Sequence, residues 1–183
     1  MSVTSNLAAL ILTGGTSSRM GADKAATLWG DRRAVDRVAD LAGNLGAGRI
    51  ITVGGGNFGF ETVADPVAHS GPVAGLLAGF AALGDEFDRV IVLAVDAPTI
   101  TVADIKPLLA IVGAGASYEG LPLPMVLNPR AVPQDAETSW PLRRFVERAG
   151  LQQITPPPSV VLRLRGANTP AEREILLREA GWD

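Results

Sequence analysis

Apolar residues fall along this chain in two alternating rhythms. Short continuous runs rich in β-branched side chains predict strands: "AALILTG" (residues 8–14), "RIITVG" (49–54) and "RVIVLAVD" (89–96). Runs without a polar alternation suit strands covered on both faces, as in parallel sheets. Between them the spacing changes to that of a helix. From Arg33 to Leu45 the apolar positions are Val35, Val38, Ala39, Leu41, Ala42 and Leu45, and Gly46 and Gly48 punctuate the end. "PVAGLLAGFAAL" (72–83) predicts a helix with small residues on one side, suited to close packing on a sheet. Thr99 to Val112 predicts another, with Thr101 as a cap and Pro107 as an interruption.

Beyond Gly113 the rhythm is less regular. The pattern predicts a strand at "LPMVLN" (123–128), a helix over Leu142–Ala149, a strand at "SVVLRL" (159–164) and a final helix from Pro170, closed by Gly181. "TPPPS" (155–159) reads as a stiff spacer rather than a boundary, because too little chain follows it to fold alone. Strand–helix alternation of this kind predicts an α/β fold: a doubly wound, mostly parallel sheet with helices on both faces, three layers in all. At 183 residues the expectation is one domain, 1–183. Ligands of such sheets bind outside the carboxyl ends of the strands. That rule puts "TGGTSSR", after the first strand, and "VDAP", after the third, on one edge.

Composition narrows the chemistry. The chain is 47% hydrophobic and 19% charged, so it is a compact protein rather than a disordered one. A net charge of −3 gives no bulk attraction to nucleic acid or anionic membranes, and neither is an expected partner. There is no cysteine, which removes disulfides, thiolate nucleophiles and thiolate metal sites. One histidine, His69, excludes a multi-histidine metal centre and reads as a surface residue rather than a catalyst. No apolar run reaches the length of a membrane span, and the expectation is a cytoplasmic protein.

Two segments carry the candidate chemistry. Gly14 to Lys24 matches neither G-x-G-x-x-G nor the Walker spacing. It nevertheless holds what phosphate binding needs: Gly14 and Gly15 for close approach, consecutive N–H groups, Arg19, and Lys24 beyond Gly21. The same elements also describe an ordinary glycine-rich turn. Asp96 ends an apolar run where an unpaired charge is costly to bury. It suits a Mg²⁺ ligand facing a phosphate loop, and equally a cap for the following helix.

"LTGGTSSRMGADKA" resembles the signature L-x-[GA]-G-x-[ST]-x-R-M-G-x-[DN]-K of nucleotidyltransferases with a glycosyltransferase-A-like fold. Among these it is most similar to the molybdenum cofactor guanylyltransferases. "GPVAGLLAG" (71–79), "VDAPTI" (95–100) and "NTPAE" (168–172) match in the same order, so the resemblance spans nearly the whole chain. It implies that Leu12, Thr13, Gly14 and Gly15 meet the nucleotide, with Gly54 and Gly71 offering backbone contacts. Asp65 would lie near the nucleoside, although "ADP" also reads as a strand-ending turn. Lys24 and Arg19 would neutralise the triphosphate, and Asp96 would hold Mg²⁺, with Mn²⁺ as a substitute. The implied reaction joins GMP from GTP to the terminal phosphate of molybdopterin or the molybdenum cofactor and releases pyrophosphate. Partners would be GTP, the pterin acceptor and molybdoenzyme chaperones. A phosphate acceptor is already anionic, so no activated serine or cysteine is required.

The spelling "LTGG" favours guanine over cytosine. The acceptor side departs from the family: Trp140 stands where an arginine falls, Leu121 and Leu123 replace polar residues, and Gly166 replaces the first asparagine of N-x-N-T-P. Arg143 and Arg144 remain near the expected acceptor cleft, where two helical arginines are equally a solvated pair. Two alternatives therefore stand: cytidylyl or other nucleotidyl transfer to a different phosphorylated acceptor, and a catalytically degenerate nucleotide-binding paralogue.

Overall fold

The computed structural model describes residues 6–13, 24–64 and 71–182. The chain begins with β1 (Leu7–Leu12), a small hairpin of β2 (Leu28–Trp29) and β3 (Arg32–Arg33), α1 (Ala34–Asn44), β4 (Arg49–Val53) and β5 (Glu61–Val63). It continues with α2 (Pro72–Leu83), β6 (Arg89–Ala94), α3 (Val102–Leu109), β7 (Gly115–Tyr118) and β8 (Leu121–Leu127). The last elements are α4 (Leu142–Arg148), β9 (Gln152–Ile154), α5 (Val161–Arg165) and α6 (Pro170–Ala180).

Seven strands form one sheet in the order β5-β4-β1-β6-β8-β7-β9. β1 pairs in parallel with β4 and β6, β4 with β5, and β7 with β9, whereas β8 runs antiparallel to both its neighbours. The sheet is thus mostly parallel, and its central strand shows why the continuous apolar run was needed. Leu7, Ala9 and Ile11 of β1 face a core shared with α1, α3, α5 and α6; Ala8, Leu10 and Leu12 face a second core under α2 and α4. Both faces are dry, so no position of β1 can be polar. The small-residue side of α2 serves the same end. A side chain at Gly79 would meet Leu10 Cδ1 at 2.9 Å and Val53 Cγ2 at 3.1 Å, so a larger residue would make those side chains move aside for the helix to lie this close.

The structure corrects the second half of the sequence reading. "SVVLRL" is not a strand: residues 158–160 form a 3-10 turn and α5 follows. Its alternation of valine and leucine with arginine mimics a period of two. Val160 and Leu164, four apart, are the buried pair, as a helix requires. The sheet edge beyond β7 belongs to β9, which is short and polar and leaves no periodic signal. β5 and β7 were missed for the same reason, being three and four residues long. No helix among the described residues is long and apolar enough to cross a membrane.

Candidate active site

The carboxyl ends of β1, β4 and β6 lie in register, with Leu12 opposite both Val53 and Ala94. Just past this line Thr13 ties two strands together. Its amide donates to the Val53 carbonyl at 2.9 Å, and its hydroxyl donates to the carbonyls of Val53 (3.1 Å) and Gly54. Gly55 follows at φ +66°, and a Cβ there would lie 2.9 Å from the Thr13 hydroxyl, so the β4 turn closes on Thr13 only because residue 55 has no side chain. Leu12, Thr13 and Gly54 are therefore brought together, but the Thr13 side chain is committed to the protein.

Asp96 lies two residues beyond β6 and is half-buried. It does not cap α3. That role belongs to Thr101, whose amide and hydroxyl bond to Asp104 at 2.8 and 2.7 Å in a capping box. Burial pushes the Asp96 carboxyl above the ordinary carboxylate range, and the Lys24 ammonium pulls it back. Lys24 itself is exposed. The fold thus sets a cation and a semi-buried anion, distant in sequence, within electrostatic reach at the sheet edge. Gly71 caps α2 at φ +89°, and among the described residues a Cβ there would have only the Thr138 carbonyl oxygen, at 3.9 Å, as a neighbour. Gly14, Gly15, Arg19, Asp65 and His69 lie outside the described residues.

Among the described residues no group of three or more His, Cys, Asp or Glu could hold a metal. A lone carboxylate is nevertheless a fitting donor set for Mg²⁺, which keeps waters and binds through one or two carboxylates plus substrate phosphates. A hard cation there would offset the cost that burial puts on the Asp96 charge.

Beside Asp96 the sheet parts. The β6–β8 ladder stops at Val92 opposite Met125. The first half of β8 contains Pro122 and Pro124, which have no N–H to give. Strands no longer stitched together diverge, and a cavity of about 120 Å³ opens between Asp96, Ile100, Leu121, Leu123, Leu164 and Arg165. A second cavity of about 220 Å³ shares Leu121 and Pro122 and is walled by Ser117, Arg143, Glu147 and Gln153. Leu121 and Leu123 thus line the cavity beside Asp96. Trp140 does not: it is buried, and its ring carries the Arg144 guanidinium at 4.4 Å. The residue replacing the family arginine has become core. Arg165, which also pairs with Glu172, escaped the sequence reading, because nothing local distinguishes it from other surface arginines.

The sequence matches the MobA-like NTP transferase domain over residues 9–147, which takes in most of β1, both loaded edge segments and α2. The chain belongs to that family. It is a nucleotidyltransferase. A molybdenum cofactor guanylyltransferase of Xanthomonas euvesicatoria pv. vesicatoria is 29% identical over 179 residues, covering 93% of this chain and 94% of the relative. Among solved structures, molybdopterin-guanine dinucleotide biosynthesis protein A from Archaeoglobus fulgidus superposes with a TM-score of 0.59 at 14% identity, covering 94% of this chain and 98% of the other. 2-C-methyl-D-erythritol 4-phosphate cytidylyltransferase from Thermus thermophilus gives 0.65 at 12% identity, covering 96% and 99%. Likeness at these identities concerns the fold alone. The mostly parallel sheet is the fold these nucleotidyltransferases share.

Proposed function

We propose that this nucleotidyltransferase transfers GMP from GTP to the terminal phosphate of molybdopterin or its molybdenum form, with Mg²⁺ held by Asp96 and pyrophosphate as the second product. The observation that supports the reading is that the Lys24 ammonium lies within electrostatic reach of the half-buried Asp96 carboxylate, just past the edge where β1, β4 and β6 end. Lys24 neutralises triphosphate oxygens, with Arg19 as its partner from the glycine loop. Backbone groups of Leu12, Thr13, Gly14, Gly15, Gly54 and Gly71, with Asp65, complete the nucleotide side. When bound, the cation draws charge from the triphosphate and helps the pyrophosphate leave. The acceptor phosphate is anionic at neutral pH, so alignment and charge neutralisation carry the reaction. We place the protein in the cytoplasm.

The cavity beside Asp96 favours a second reading. Its walls are mainly apolar among the described residues, where Arg165 is the one cation. That composition suits an acceptor whose phosphate is followed by a less polar body than a pterin. A panel of GTP and CTP against molybdopterin and other phosphorylated acceptors, read by pyrophosphate release, decides between them. Release with GTP and molybdopterin only is the expected result. Release with CTP, or with another acceptor alone, replaces the first reading with the second. Saturable nucleotide binding without turnover leaves the degenerate paralogue.

A further inference from the structure

Gly166 closes α5 at φ +79° and is buried. Its bare Cα rests on the peptide that follows Asp96. A Cβ built there would lie 2.7 Å from the Asp96 carbonyl carbon and 3.2 Å from the Ala97 nitrogen, with the Asp96 carbonyl oxygen closer still. Real side chains do not approach backbone atoms so closely, so any residue larger than glycine must displace one of the two segments.

The hydrogen bonds decide which one yields. On the α5 side, Arg163 grips the buried Asp104 carboxylate with two bonds of 2.7 and 2.8 Å. On the α6 side, the Glu172 carboxylate accepts from the Asn168 amide at 2.8 Å and the Thr169 amide at 3.2 Å, and also binds Arg165. The junction carrying Gly166 is therefore held at both ends by charge-assisted bonds. The Asp96 turn is held by neutral, longer ones: Val95 to Leu12 at 3.2 Å, Ala97 to Ala94 at 3.3 Å and Ile100 to Ala97 at 3.4 Å. The turn is the weaker partner.

We infer that Gly166 is a positioning residue for Asp96: the absence of a side chain at the α5–α6 junction sets where the carboxylate stands at the mouth of the sheet. The asparagine-to-glycine departure in "GANTP" then marks a close backbone approach rather than simple loss of an acceptor contact. The inference rests on the reading of Asp96 as the metal-holding carboxylate.

Gly166→Ala tests it against Asp96→Asn and against Gly113→Ala. Gly113 has a similar φ of +84° and no atom near its missing Cβ, so it carries the conformational strain without the contact. Turnover is measured below the melting temperature of every variant, and GTP affinity is measured by calorimetry with and without Mg²⁺. Gly166→Ala is expected to lose about ten- to a hundredfold in kcat, the scale of an ångström misplacement. It should also need more Mg²⁺ to tighten GTP binding, while metal-free GTP affinity stays at the wild-type value. Gly113→Ala should keep wild-type kcat and Mg²⁺ response. Wild-type kcat and Mg²⁺ response in Gly166→Ala, with both lost in Asp96→Asn, overturn the positioning role alone. So does an equal loss in Gly113→Ala. An undiminished Mg²⁺ response in Asp96→Asn overturns the underlying reading instead. If Gly166→Ala does not fold, Arg163→Gln decides by loosening α5 without adding bulk: a several-fold fall in kcat at unchanged metal-free affinity supports the role, and an unchanged kcat overturns it.

Discussion

The two halves of the sheet edge are built by different means. On the β1–β4–β6 side, parallel strands end together and the chain turns away on glycines and a threonine staple, leaving backbone and two charges at the surface. On the β8 side, prolines interrupt the ladder, a cavity with leucine walls opens, and ion pairs between helices hold it from behind. The first half presents main-chain groups whose positions follow from topology. The second presents side chains, and side chains change without changing the fold. On the proposed reading the nucleotide lies against the first half and the acceptor against the second.

Asp96→Asn is the largest blow to the nucleotide half. Turnover should fall about a thousandfold or more, the scale seen when a group that stabilises transition-state charge is lost. The same change should stabilise the fold at neutral pH. Burial raises the folded pKa of Asp96, so the charged form is the penalised one. Below the unfolded value, about 3.9, both states are protonated and there is no penalty; it grows as pH rises through the folded value. Melting curves of the variant should exceed wild type near pH 7 and converge with it in acid. A variant that is fully active, or whose gain over wild type is no larger at pH 7 than at pH 3, breaks the contrast.

Next in size, Asp104→Ala strikes the other half from behind. It leaves Arg163 without its buried partner, which costs about 3–5 kcal/mol, or roughly 6–20 °C in Tm for a chain of this length. Burial raises the Asp104 carboxyl, but Arg163 and Thr101 together outweigh it and hold it below the ordinary range. Its stabilisation is therefore present above the unfolded pKa and lost as pH falls through the lower folded one. The difference in Tm between wild type and variant should shrink in acid. A constant difference would deny the ion pair its role.

Lys24→Ala sharpens the division of labour at the edge. It should raise KM for the nucleotide about tenfold or more, the worth of a charge-assisted hydrogen bond, with a smaller effect on kcat. A loss confined to kcat would instead make Lys24 a partner of the transition state alone. Smallest is Thr13→Ala. Removing the hydroxyl bonds to the ends of β4 should cost about 1 kcal/mol, read as a Tm lower by about 2–4 °C, and leave nucleotide KM unchanged. A large rise in KM would mean that the Thr13 side chain meets the ligand.

What was legible in the sequence follows the same division. β1 and β6 announce themselves because both faces are buried and every position is apolar. α6 does so because a capping box and Gly181 punctuate it. Asp96 was visible as a charge ending such a run. By contrast, the Asp104–Arg163 pair joins residues 59 apart, and nothing in either neighbourhood points to the other. Gly166 could be noticed as a departure from N-x-N-T-P, but its reason is the Asp96 peptide across the junction, which only the folded chain reveals. "SVVLRL" misled because a five-residue helix with two arginines has the same spelling as a strand.

The central claim is that Asp96 holds the metal that couples the nucleotide to this edge. Calorimetric titration of GTP with and without Mg²⁺, on wild type and Asp96→Asn, tests it most directly. The account predicts that Mg²⁺ tightens GTP binding in wild type and has no such effect in the variant, whose metal-free affinity is unchanged or higher. Equal tightening in both proteins would contradict it.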